Sequence, residues 1–254
     1  MELKKIEGIV VNEVPYKESS KILTIFTREL GLIGVISRGC KKQKSKLREV
    51  SQKLILADFY INYKKDGLSS LNSADLKNYF RNILYDPKDL LKKSYAFYIL
   101  DLSLQVMKQE QNKKEEIYDL LLSVLEKMNE GFCPNILSLI IELKYFDFLG
   151  VKPSMDGCSI CGKKDNIVTF HSMCNGFICR ECYQNEPPIK EESLKMIRML
   201  YYVDITRIKK LEIDSKVLEE ITNRIEEYYL DHTGLYLSTK QNIKNVKKLL
   251  GIIN

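Results

Sequence analysis

The hydrophobic period of the chain changes once, near residue 80, and that change limits the fold more than any other feature. Across the first 75 residues, β-branched and aromatic runs of strand length recur at 6–13, 22–27, 32–37 and 54–63. Turn-formers separate them: Pro15 with Ser19 and Ser20, then Gly31, Gly39 and Asp66-Gly67. The Asp-Gly pair is a hairpin signal and predicts a fifth short strand at 68–72. Five short strands in so little chain cannot shield the edges of an open sheet, so a small barrel of the OB type is expected over 1–80. After Tyr85 the apolar residues recur at helical spacing. Asp86-Pro87 offers a cap and a first-turn proline, and Leu90, Leu91, Tyr95, Tyr98, Ile99 and Leu102 continue the stripe. Further helices are expected at 116–128, at 135–149 (apolar on most sides, hence buried), and at 191–201, 215–230 and 239–250. The expected class is α+β, with the barrel followed by an all-α domain over 81–254.

Charge divides along the same line. The net charge is +6, and residues 1–80 carry 15 Lys/Arg against 9 Asp/Glu while residues 81–254 carry 25 against 25. The whole excess therefore belongs to the barrel segment, as expected of a module that faces a polyanion. Its densest stretch holds Arg38, Lys41, Lys42, Lys44, Lys46 and Arg48 with no acid among them. Gly39, Ser45 and the lack of apolar periodicity predict a flexible loop there. Six like charges repel one another until a phosphate backbone replaces their counterions, which gives salt-sensitive binding with little sequence preference. Tyr16, Phe26, Phe59, Tyr60 and Tyr63 are candidate base-stacking surfaces, although aromatics at strand spacing more commonly fill a core. Lys240, Lys244, Lys247 and Lys248 lie beside apolar residues in the tail.

Five of the seven cysteines fall between residues 158 and 182. Cys158-x2-Cys161 and Cys179-x2-Cys182 form two tight pairs, the spacing of a four-thiolate Zn²⁺ site in which each turn supplies two sulfurs to a tetrahedron. A zinc-binding module at about 151–189, inserted in the helical domain, follows. Gly162 stands just after the first pair, where an unusual backbone is needed, and Gly176 leads into the second. Cys174 and His171 remain alternative ligands at this stage, and Cys40 and Cys133 read as unpaired thiols. Disulfides do not suit an odd cysteine count in a cytosolic chain. Four protein ligands leave no open coordination position, so one structural ion is expected rather than a catalytic one.

No window approaches 18 consecutive apolar residues, the length a membrane span requires. The first residues, Met-Glu-Leu-Lys-Lys, lack the apolar core of a secretory signal, so the expected location is the cytoplasm. With two histidines in the chain and no phosphate-cradling glycine loop, Gly-x-Ser-x-Gly elbow or His-Glu-x-x-His motif, an enzyme is not expected. A zinc-containing protein-interaction scaffold and a zinc-dependent nucleic-acid-modifying enzyme stand as the alternatives to a DNA-binding protein.

The order of these features resembles the RecO family of bacterial recombination mediators over nearly the whole chain. The resemblance is carried by Ile6-Glu-Gly-Ile-Val-Val, Tyr16-Lys-Glu-Ser, Thr27-Arg-Glu-Leu-Gly31, Ser37-Arg-Gly39 and Lys44-Ser-Lys-Leu47. Gln52, Gly67-Leu68 and Phe146-Asp-Phe-Leu-Gly150 continue it toward Cys158. The chain departs from the family at Ser20, where an acid is frequent, at Cys40, where a small residue is usual, and at Cys174-Asn-Gly176, which replaces a glycine-rich turn. The resemblance implies binding to single- and double-stranded DNA, annealing of complementary strands and loading of RecA onto SSB-coated DNA. It further implies RecR and the SSB C-terminal tail as direct partners, a functional link to RecF, and a place at the bacterial nucleoid.

Overall fold

The computed structural model describes residues 2–84 and 89–252. Two compact units emerge, one of Met1–Gly131 with Leu237–Asn254 and one of Phe132–Tyr236. Near residue 80 the chain passes from strands to helices.

The first unit is built on five strands: β1 (Glu2–Tyr16), β2 (Ser20–Thr27), β3 (Gly31–Ser37), β4 (Leu56–Tyr63) and β5 (Ser69–Asn78). They close into a barrel in the order β1-β2-β3-β5-β4. All neighbours are antiparallel except β3 and β5, which run parallel through Val35 opposite Ser69 and Ile36 opposite Ser70. That short parallel seam, together with the β1–β4 pairing that sets Ile6 opposite Phe59, removes the exposed edges. Buried residues alternate cleanly along β3, and Val10, Leu23, Ile25, Val35, Phe59 and Ile61 are fully buried in one core.

Strand lengths differ from expectation at three places. β1 runs well beyond 6–13 at both ends because its polar residues pair on the surface even where they bury nothing. β4 begins at Leu56, since Leu54 adopts φ +66° and leaves the ladder. β5 extends to Asn78 because Asp75 and Lys77 stand on its outer face, where neither needs to be apolar.

A four-residue helix, α1 (Leu47–Val50), interrupts the basic stretch, and α2 (Arg81–Leu84) follows the barrel. The expected cap at Asp86-Pro87 lies outside the described residues. Asp89 caps α3 (Leu90–Gln109), its carboxylate accepting from the Lys92 N–H at 2.8 Å. α4 (Lys114–Asn129) sets Tyr118 edge-on against Phe26 at 5.3 Å, and Arg28 forks onto Asp119 at 2.9 and 3.0 Å. α8 (Ser238–Leu249) lies along α3 and donates from Thr239 to Asp101.

The second unit has α5 (Pro134–Phe148) at its centre, opened by a proline at the first helical position and buried along most of its length as its composition requires. Around it stand the hairpin β6 (Ile167–His171) and β7 (Gly176–Cys179), then α6 (Glu191–Tyr202) and α7 (Ser215–Thr233). Phe146 of α5 meets Tyr228 and Tyr229 of α7, with ring centroids 4.6 Å away in both cases.

Candidate nucleic-acid interface and metal centre

Residues 38–46 leave the barrel between β3 and α1 as a series of tight turns. The stretch is not free chain, which corrects the expectation of a flexible loop. At its base the Ser37 and Ser51 hydroxyls bond each other at 2.8 Å, both buried. Lys21 Nζ donates to the Ser51 carbonyl at 3.0 Å and to Glu13 at 2.7 Å. The Gly39 N–H donates to Ser20 Oγ at 3.2 Å and the Lys41 N–H to the Ser19 carbonyl at 2.9 Å. Cys40 and Val50 are buried as apolar plugs. Arg48 lies in α1 rather than in a loop, because Leu47 and Val50, three residues apart, supply one helical turn with an apolar side against the barrel core. Sequence reasoning used Ser19 and Ser20 as turn-formers and Ser37 only as part of the family pattern, and passed over Ser51; nothing in a single sequence marks which serines will meet.

Arg38, Lys41, Lys42, Lys44, Lys46 and Arg48 are all exposed, and none forms an ion pair among the described residues. Other cations of the barrel behave differently. Lys5 pairs with Asp58 at 3.0 Å, and Lys77 pairs with Asp58 at 3.2 Å and with Glu7. Burial pushes the Asp58 carboxyl upward, but the two lysines outweigh it and hold the group below the ordinary carboxylate range. Lys5 and Lys77 on the outer face of β1, β4 and β5 are thus locally neutralised, whereas the projection holds the densest run of cations without an ion pair among the described residues.

The aromatic candidates separate by position. Phe26 and Phe59 are fully buried core residues. Tyr60 is half-buried, donates to Asp75 at 2.9 Å and lies under Lys5, while Tyr63 lies under Lys4 at 4.8 Å. Tyr16 borders a groove of about 450 Å³ beside the basic turns. A larger groove of about 550 Å³ in the second unit is also lined by cations: Lys195 is paired with Glu191 and Arg198 donates to the Met155 carbonyl, while Lys164 and Arg180 are exposed without an ion pair among the described residues.

The four expected thiols converge in the second unit. Every sulfur of Cys158, Cys161, Cys179 and Cys182 lies within 4.8 Å of the others, and Cys161 Sγ is 3.6 Å from Cys179 Sγ. A tetrahedron with Zn–S bonds of about 2.3 Å has edges of roughly 3.8 Å, so this donor set fits such an ion. Each pair sits on a tight turn. The Cys158 carbonyl accepts from the Gly162 N–H at 2.8 Å, and the Cys179 carbonyl accepts from the N–H groups of Cys182 at 3.1 Å and Tyr183 at 2.9 Å. Gly162 has φ +75°, the left-handed backbone expected just after the first pair. Gly176 opens β7 with its Cα against Ser154, where a Cβ would stand 2.6 Å from the Ser154 N and O.

The electrostatics suit a cation. Burial raises the Cys158 thiol, but backbone N–H groups around it, of Cys161, Cys179 and Ile160, prevail and hold it at about 6. Cys182 is pushed up to about 12, first by its contact with Cys161 and then by burial. Without a metal the cluster shares protons; a divalent ion would displace them. Cys174 stands outside the four-sulfur group and donates to Glu186 at 3.4 Å, and His171 also lies outside it. Among the described residues no helix is long and apolar enough to cross a membrane.

Comparison with known families matches residues 1–80 to the family Recombination protein O N terminal and residues 87–241 to Recombination protein O C terminal. The chain belongs to the RecO family. It is 34% identical to the DNA repair protein RecO of Bacillus pumilus over 255 residues, 98% of each chain, and 32% identical to that of Bacillus subtilis over the same share. Identity to the DNA repair protein RecO of Listeria monocytogenes is 32%, covering 97% of this chain and 96% of the relative. The resemblance drawn from residues 6–48 and 146–158 is borne out. These relatives are named as DNA repair proteins and the family for recombination, in agreement with the expectation of a DNA repair protein.

Proposed function

We propose that this RecO chain is a DNA-binding recombination mediator whose OB-type barrel grips polynucleotide by its phosphates. The observation that carries this reading is the projection of residues 38–48, where six exposed cations without ionic partners are pinned to a rigid barrel. A clamped backbone keeps the charges close together and leaves only the side chains to be ordered when the polyanion arrives, and the gain is release of condensed counterions. Because phosphates occur on every strand, the same surface serves single- and double-stranded DNA. Neutralising two strands lowers the repulsion that opposes their pairing, which suits annealing and the loading of RecA onto SSB-coated strands.

RecR and the SSB tail are taken as partners, and RecF and RecA as functional neighbours, from family membership. So is a cytoplasmic, nucleoid-associated location. One Zn²⁺ held by Cys158, Cys161, Cys179 and Cys182 would fasten the module at about 151–189 and, with all four positions filled by sulfur, leave none for water or substrate. That donor set favours a structural ion over the alternative of a zinc-dependent nucleic-acid-modifying enzyme. The decisive experiment is fluorescence anisotropy with single- and double-stranded oligonucleotides at two salt concentrations. The protein should bind both at low salt and lose affinity steeply as salt rises. Failure to bind either oligonucleotide at low ionic strength would overturn the reading.

A further inference from the structure

The groove beside the basic projection is lined by Tyr16, Lys17, Ser19, Ser20, Ile36, Arg38, Gly39 and Lys42, with a volume of about 450 Å³, within the size range of small-ligand sites. Its walls come from the β1–β2 turn, the end of β3 and the first basic turn. The Gly39–Ser20 and Lys41–Ser19 hydrogen bonds fix those pieces relative to one another. Lys17, Arg38 and Lys42 are exposed and unpaired among the described residues. Lys17 Nζ lies 5.5 Å from the centroid of the half-buried Tyr16 ring. The ammonium lies over the ring, so a base that stacks there takes the place of Lys17, which is then free to meet the phosphate of the same nucleotide.

We infer that this groove is a subsite for one unstacked nucleotide, with the base against Tyr16 and the apolar wall of Ile36 and the phosphates on Lys17, Arg38 and Lys42. The inference rests on the reading of the barrel as a DNA-binding surface and deepens it. In a duplex both faces of each base are covered by neighbours, so only a single strand can offer a base to Tyr16. The projection then supplies affinity for any DNA, and Tyr16 supplies preference for single strands.

The test uses the full chain and compares Tyr16→Ala, Tyr16→Leu and Tyr16→Phe with a variant reversed at Lys41, Lys42, Lys44 and Lys46. Affinities for a single-stranded and a double-stranded oligonucleotide are measured at two salt concentrations, and quenching of a 2-aminopurine base in the single strand reports stacking. Tyr16→Ala should weaken single-strand binding about five- to tenfold, the lower part of the range for loss of one stacked base, with duplex binding and salt dependence unchanged. Tyr16→Leu keeps apolar bulk and should fall with Ala, whereas Tyr16→Phe should retain wild-type preference and quenching. Equal weakening of both DNA forms, or no weakening while the four-lysine reversal still removes binding, would overturn the subsite and leave the mediator reading intact. A wild-type protein that bound neither oligonucleotide would instead overturn the mediator reading itself.

Discussion

The barrel holds itself together with apolar side chains, whereas residues 154–189 gather four sulfurs around a point where a metal would fit. Val10, Leu23, Ile25, Val35, Phe59 and Ile61 fill the barrel without exposure, and the strands close on themselves through the short β3–β5 seam. The cysteine segment has a far smaller apolar stock, chiefly Met155, Phe170, Phe177, Ile178 and Ile189, and a two-stranded hairpin that could not stand alone in water. The difference teaches where stability and function overlap. In the barrel the residues that fold the chain are inside and the candidate DNA contacts are outside, so one set can change without the other. In the cysteine segment the same four residues would be both the site and the fold.

The largest effect should come from the sulfurs. Structural zinc contributes on the order of 10 kcal/mol in small domains that depend on it. Cys158→Ser or prolonged chelation should reduce bound zinc from one per chain to none and open residues 151–189 to protease. DNA binding by the barrel should survive. Zinc analysis and limited proteolysis on the same sample check both halves, and a segment that resisted protease without metal would break the comparison. Next comes the barrel core. Phe59→Ala empties a fully buried ring position and should destabilise by about 3–5 kcal/mol, seen as a large drop in the denaturant midpoint with zinc content unchanged.

Much of this arrangement was legible in the sequence, and the reasons differ by region. The barrel strands and the long helices followed from period, though the β6–β7 hairpin and the short α1 and α2 did not, and the meeting of the four cysteines followed from spacing, because two Cys-x2-Cys turns form a short-range pattern that survives in one dimension. The extent of β5 did not, since Asp75 and Lys77 on an outer face give no hydrophobic alternation. Membership of α3, α4 and α8 in the barrel's unit could not be read either, because helical periodicity shows that a face is buried but not against what. The basic stretch was plain as charge but misjudged as flexible. Its rigidity comes from the Ser37–Ser51 and Ser20–Gly39 bonds, contacts across 14 and 19 residues that composition does not encode.

The projection itself should show the reverse of Phe59. Replacing Lys41, Lys42, Lys44 and Lys46 with Gln removes four exposed charges. If each meets a phosphate, the slope of log affinity against log salt should fall by roughly 3 to 4 and affinity at moderate salt by about a hundredfold. Exposed, unpaired side chains hold little stability, so the thermal midpoint should stay put. Equilibrium binding and melting on the same variant separate the two quantities.

The smallest effect belongs to the cations already paired on the barrel's outer face. Lys5 and Lys77 share Asp58 and Glu7, so a phosphate arriving there would have to displace carboxylates rather than mobile counterions, and the release that drives binding is absent. Lys5→Gln with Lys77→Gln should therefore change DNA affinity by no more than about twofold, although it removes half as many charges as the four-lysine variant. Acid gives an independent handle on the same network. Its lysines hold the Asp58 carboxyl below the ordinary range, so its contribution to stability is complete above that range and lost as pH falls through the lowered value. Unfolding titrations should show this loss in the wild type and not in the Lys5/Lys77 variant. The projection shares no ion pair with that network, so its grip on DNA has no reason to follow. If instead the paired lysines proved as important for binding as those of residues 41–46, exposure without a partner would no longer mark the DNA face, and the contact would have to be sought over the whole barrel.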